Sequence, residues 1–128
     1  MKPPHVLVVD DDLVLNFTIC ETLKDSGMHA VGVHSVAAAL EVMEQGAELS
    51  ALVTDIDLGP GPDGFDIAHR ARITNPQLHV VFISGTATAR RRAQEIKRSE
   101  FLGKPFGPPE IVEALHRLVA ANQAPCEV

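Results

Sequence analysis

The chain has 128 residues, the size of one compact domain, with 45% apolar and 22% charged residues, an ordinary balance for a globular protein that argues against wholesale disorder. Acids outnumber bases 17 to 11, a formal net charge of −6, which makes non-specific binding to a phosphate backbone a poor reading. The charge is uneven: residues 1–64 hold 11 acids and 2 bases, residues 65–128 hold 6 acids and 9 bases, so one half is placed to assemble something anionic.

In chain order, Val6 to Val9 is a continuous apolar run ending at Asp10-Asp11-Asp12, the pattern of a strand buried on both faces. Leu13 to Asp25 follows with Leu13, Val14, Phe17, Cys20 and Leu23 at helical spacing, stopped by Ser26-Gly27. His29 to His34 reads as a second strand, and Ser35 N-caps a helix to about Gln45. Ala51 to Thr54 is the third strand and ends at Asp55; Gly59-Pro60-Gly61-Pro62-Asp63-Gly64 is a loop. Phe65 to Thr74 is helical up to Asn75-Pro76, because the residue before a proline avoids the α region. Leu78 to Ile83 is the fourth strand, closing at Ser84-Gly85. Residues 87–98 read as a basic helix, Phe101-Leu102 as a short fifth strand ending at Lys104-Pro105. Pro108 to about Ala121 is a last helix with Ile111, Val112, Leu115, Leu118 and Val119 facing inward.

Five β-α units in alternation predict an α/β fold with a doubly wound, five-stranded parallel sheet and right-handed crossovers. The expected organisation is a single domain over 1–128, with a core of about 5–121 and a tail at 122–128. The chain opens without a signal-peptide pattern and has no apolar run of membrane length, so the expected location is the cytoplasm, without membrane contact. Cys20 and Cys126 have no metal-type spacing and read as free thiols. The six histidines are scattered and carry no metal motif.

Ligands of open parallel sheets bind beyond the carboxyl ends of the strands. Those ends carry Asp10-Asp11-Asp12, Asp55, Ser84 and Lys104. With the first and third strands adjacent, Asp10, Asp11 and Asp55 converge, and repulsion of roughly 3 kcal/mol per carboxylate pair at an effective dielectric of about 20 calls for a cation. A hard divalent ion fits oxygen ligands of this kind, Mg²⁺ best, with Mn²⁺ as a substitute. Asp12 lies one step too far and caps the first helix. Asp55, a hydroxyl and an ammonium around such a site can attack a phosphorus atom and stabilise the transferring group.

The acid pair after a Val-Leu-Val-Val strand, Asp55 at the end of strand three, Ser84-Gly85 after strand four and Lys104-Pro105-Phe106 after strand five resemble the receiver domain of two-component response regulators. The resemblance spans residues 5–121 and implies a flavodoxin-like, CheY-like strand order 2-1-3-4-5. It implies that Asp55 is the phosphoacceptor, and that Asp10, Asp11, Asp55 and the backbone carbonyl of Asp57 hold Mg²⁺. Ser84 takes the switch hydroxyl position, Phe101 the aromatic switch position, Lys104 the phosphoryl-contacting position, and the Lys104–Pro105 peptide is expected to be cis. Phosphorylation then repacks the face made by the fourth helix, fifth strand and fifth helix. Arg90, Arg91, Arg92, Lys97 and Arg98 on or beside that face are candidates for a partner surface, against the plainer reading of a solvated helix.

The implied partners are a sensor histidine kinase or a histidine phosphotransfer protein, and a downstream protein target on the switch face. Direct DNA binding is not expected, and the chain is a monomer or a phosphorylation-dependent homodimer. It is then no enzyme in the turnover sense, catalysing only its own phosphorylation and dephosphorylation. Three departures stand out: a loop after Asp55 about one residue longer than usual, Asp57 where the family tunes dephosphorylation, and Phe101 without a phenolic hydroxyl. Two alternatives stay open. Asp55-Ile56-Asp57 superficially fits a haloacid-dehalogenase-type phosphatase, and a degenerate receiver could serve only as a binding module.

Overall fold

The computed structural model describes residues 4–123 apart from positions 47 and 108. Among the readings above, those on Pro108, the Val119 side chain, Cys126 and the end of the tail lie outside the described residues. The elements are β1 (His5–Val9), α1 (Leu13–Asp25), β2 (His29–Val33), α2 (Val36–Glu44), β3 (Ala51–Asp55), α3 (Gly64–Thr74), β4 (His79–Ser84), α4 (Ala87–Ala93), β5 (Ser99–Gly103) and α5 (Pro109–Gln123). The strands form one parallel sheet in the order β2-β1-β3-β4-β5. No described helix is long and apolar enough to cross a membrane.

The sheet lies between two apolar layers because strand side chains alternate. Val6, Val8, Val53, Val81 and Ile83 pack against α1 and α5 through Ile19, Leu23, Ile111 and Leu115. Leu7, Val9, Leu52, Val80 and Phe82 pack on the opposite side with Phe65, Ile67, Ala68 and Ala89. The interior strands β3 and β4 are buried at every position, as their unbroken apolar runs require. Their register aligns Asp55 with Ile83, and that of β4 with β5 aligns Ser84 with Gly103, so the strand ends finish level at one edge.

Helix starts follow local chemistry. Asp12 accepts from the Leu15 amide, Ser35 from the Ala38 amide, and Asp63 with Asp66 forms a capping box that starts α3. The Gly-Pro segment is a loop, with Gly59 and Gly61 at φ of 101° and 95°. Gly64 closes it where a side chain would collide with the Asp55 carbonyl oxygen, so only glycine lets α3 begin this close to β3.

Three expectations change. The helix read over 87–98 stops at Ala93, and β5 begins at Ser99 rather than Phe101. The Ser99 hydroxyl donates to the Ala93 and Ile96 carbonyls and Arg98 takes φ 55°, a turn that composition does not reveal. In α1 the inward stripe is Asn16, Ile19, Cys20 and Leu23, whereas Leu13, Val14 and Phe17 are 63%, 76% and 66% exposed. A polar residue takes the inward position because the Asn16 amide donates there to the carbonyls of Asp10 and Val33.

Candidate phosphoryl-transfer site

Two strand ends, those of β1 and β3, converge on one carboxylate cluster. Asp10 follows β1 and is fully buried, Asp55 ends β3 and is nearly so, and Asp11 is exposed; one oxygen of each lies within 4.8 Å of the others. Asp10 is turned inward by its own surroundings. Its Oδ1 accepts from the Asp12 amide at 2.8 Å, and its carbonyl accepts from Asn16 Nδ2 at 3.1 Å. Asn16 Nδ2 also donates to the Val33 carbonyl at 2.8 Å, tying β1, α1 and β2 together behind the site. A side chain at Gly32 would collide with the Asn16 amide, so glycine in β2 makes room for this clamp.

Lys104 reaches in from the loop after β5. Its Nζ donates to Asp55 Oδ2 at 3.0 Å and stands 3.6 Å from Asp10 Oδ2. Its backbone amide donates to the Ser84 carbonyl at 2.9 Å, and the Lys104–Pro105 peptide is cis. Burial works against the ammonium charge, but the hydrogen bond and charge of Asp55, with the charge of Asp10, outweigh it and hold the lysine above its ordinary pKa. Burial is also the largest influence on Asp10, and with the neighbouring Asp55 and Asp11 charges it raises the carboxyl above the usual range despite the Asp12 amide and Lys104.

One ammonium beside three carboxylates leaves about two negative charges uncompensated, and Asp10 Oδ2 is buried without a hydrogen-bond partner. A buried acceptor in that condition costs on the order of 1–3 kcal/mol. An all-oxygen donor set with this charge fits a hard divalent cation. Asp57 is exposed at the rim, and its amide donates to Asp55 Oδ1 at 3.2 Å. Ser84 is buried at the end of β4, with its hydroxyl engaged by Thr86.

The basic candidates separate. Arg90 lies over the half-buried Phe101 ring at 5.0 Å, and Arg92 over the Phe65 ring at 4.0 Å and 3.9 Å from Asp63. Arg91 and Lys97 are exposed, while Arg98 donates to the Pro76 carbonyl beside the start of β5. Arg90 and Arg92, which the sequence runs together, are therefore occupied at different places. Sequence reading passed over Asn16 and Thr86. The one available sign of Asn16 was a polar residue interrupting an apolar helical stripe; Thr86, in an ordinary helix-capping position, offered none.

Comparison with known proteins agrees with this geometry. The family model for the response regulator receiver domain matches residues 6–116. The chain is 31% identical over 120 residues to the two-component response regulator ORR3 of Oryza sativa subsp. indica, covering 91% of each. It is 29% identical over 119 residues to the response regulator receiver protein CpdR of Brucella abortus, covering 91% of this chain and 98% of that one. A solved response regulator receiver protein from Sinorhizobium medicae superposes with a TM-score of 0.85 at 32% identity, covering 94% of this chain and 97% of the other.

Proposed function

The chain belongs to the response regulator receiver domain family, and on that premise we propose that it accepts a phosphoryl group from a partner's phosphohistidine onto Asp55. The observation that carries the proposal is the Asp10, Asp11 and Asp55 cluster with Lys104 Nζ at 3.0 Å from the acceptor carboxylate. The matched family is a signalling one, and the phosphatase alternative is not what the chain resembles over its length.

In the transfer, an Asp55 carboxylate oxygen attacks phosphorus, a P–O bond forms, the P–N bond breaks with its electron pair going to nitrogen, and the partner's histidine, already protonated on its other ring nitrogen, leaves as neutral imidazole. Lys104 pairs with a phosphoryl oxygen and the Ser84 hydroxyl donates to another. Both groups are anchored by backbone, so the work is positioning and electrostatics rather than proton transfer. Asp10, Asp11, Asp55 and the Asp57 carbonyl would hold Mg²⁺, or Mn²⁺ in its place, and that ion supplies charge neutralisation for the incoming group.

The exposed Leu13, Val14 and Phe17 stand on the first turns of α1, directly after the acid pair. They offer an apolar seat beside the acceptor for the histidine-bearing kinase or phosphotransfer partner. The downstream target is assigned to the α4-β5-α5 face, where Phe101 lies under Arg90. Hydrolysis through Asp55 returns the domain to rest, with Asp57 setting the lifetime from the rim.

The test is treatment with acetyl phosphate and Mg²⁺, followed by intact mass. The wild type gains one phosphoryl group and Asp55→Asn gains none. A wild type without a Mg²⁺-dependent gain, or the same gain in the variant, overturns the proposal.

A further inference from the structure

The Ser84 hydroxyl has a defined resting position. The backbone around it is fixed, since the Ser84 carbonyl accepts from the Lys104 amide at 2.9 Å and Ser84 sits in register with Gly103. The hydroxyl can change partners only by changing rotamer about χ1. In the resting structure it accepts from the Thr86 amide at 3.1 Å and lies 3.3 Å from Thr86 Oγ1. That same Thr86 oxygen accepts from the Ala89 amide at 3.3 Å and caps the short helix α4. Thr86 thus joins the buried hydroxyl at the site to the first turn of the helix that carries Arg90 and Arg92.

We infer that Thr86 is a positioning residue for phosphoryl capture: its amide and hydroxyl hold the Ser84 hydroxyl in the resting rotamer, so the residue that caps α4 also sets how readily Ser84 turns to a phosphoryl group. The inference rests on the receiver reading of the site. When Ser84 turns, its hydroxyl donates a hydrogen bond to a phosphoryl oxygen, keeping its proton, and the Thr86 amide and hydroxyl lose that partner. The hydrogen bond broken at Thr86 opposes the one formed at the phosphoryl group. The change reaches α4 through one side chain, without rearrangement of the sheet.

Affinity for beryllofluoride in Mg²⁺ measures this opposition directly. Thr86→Val keeps the shape and removes the hydroxyl. One net hydrogen bond corresponds to roughly fivefold, so Thr86→Val is expected to bind about three- to fivefold tighter. Thr86→Ser restores the wild-type value. In a Ser84→Ala background, Thr86→Val changes affinity by less than about 1.5-fold, because no hydroxyl remains to be held. In metal-free protein, amide exchange at residue 86 quickens in Thr86→Val and in Ser84→Ala but not in Thr86→Ser, a readout independent of ligand. Equal affinity of Thr86→Val and wild type, the same shift in both backgrounds, or no rescue by serine overturns the inference while leaving the receiver reading intact. A wild type that does not bind beryllofluoride overturns both.

Discussion

The two ends of the sheet both bury charge, and they dispose of it in opposite ways. At the carboxyl end, Asp10, Asp11 and Asp55 face one another with a single ammonium between them, and Asp10 Oδ2 is left without a hydrogen bond. At the amino end, Arg72 donates through Nε and Nη2 to the Leu78 carbonyl and through Nη2 to the Arg98 carbonyl, stapling the approaches to β4 and β5. His79 and Arg98 stand beside it; burial and the two guanidinium charges push the His79 pKa down, and burial followed by Arg98 lowers that of Arg72. Carbonyls of the chain's own backbone occupy Arg72, so its charge is structural. The carboxylates at the other end have too few partners within the chain, and that shortfall is what a divalent cation can fill.

Four measurements break or sharpen this contrast. The largest effect falls on the acceptor: Asp55→Asn abolishes phosphorylation by acetyl phosphate as read by intact mass, while urea denaturation finds the fold intact. Arg72→Met works the other way, costing about 2–3 kcal/mol in urea denaturation because buried carbonyls lose a charged donor. Its phosphorylation rate stays within about twofold of wild type, since the staple stands at the far end of the sheet. A large loss of rate without loss of stability would show that the two ends are coupled.

Asp10→Asn comes next. It removes one of three crowded carboxylates, so the metal-free protein gains on the order of 1 kcal/mol of stability, while Mg²⁺ affinity by titration calorimetry falls by at least the tenfold or so typical of weaker, outer-shell changes. The smallest effect concerns His79. Because the folded protein holds its pKa below the ordinary 6.5, the unfolded chain binds the proton first as pH falls, and stability declines below that value toward the folded-state pKa. Denaturation midpoints measured from pH 7.5 to 5 decline less steeply in His79→Gln than in wild type; equal slopes would mean that His79 takes up its proton over the same pH range in the folded and unfolded chain.

The carboxyl-end half of this contrast is legible in the sequence, whereas the Arg72 staple at the amino end is not. Val6–Val9, Ala51–Val53 and Val80–Ile83 are unbroken apolar stretches, and only strands covered on both faces use such stretches economically. Acids, a hydroxyl and a lysine directly follow those runs, and a parallel sheet brings the carboxyl ends of its strands together whatever the loops do. Asp12 and Ser35 were recognisable as caps because capping depends on a side chain and an amide three residues away. The order β2-β1-β3-β4-β5 came with the family resemblance, since alternation alone does not rank the strands.

Other features depended on long-range partners. Leu13, Val14 and Phe17 have the spacing of a buried helix face, yet Asn16 turns inward to serve the carbonyls of Asp10 and Val33, and the apolar trio stays outside beside the acid pair. The run Arg90-Arg91-Arg92 reads as one basic surface, but side chains two apart on a helix point to different sides, so Arg90 covers Phe101 and Arg92 covers Phe65. The early end of α4 came from Ser99 and Arg98, residues whose turn geometry composition does not encode.

What the sequence by itself determined is the chemistry: which residue types stand at the ends of which strands, and hence an acidic acceptor cluster opposed by one lysine. Only the tertiary structure decided how that chemistry is held. Strand register levels Asp55 and Ser84 at one edge, the Asn16 clamp buries Asp10, and Thr86 holds the Ser84 hydroxyl at rest. The physical reason is range: a strand or a cap is written in a few consecutive residues, whereas a buried charge is defined by the partners the whole fold brings to it, or withholds.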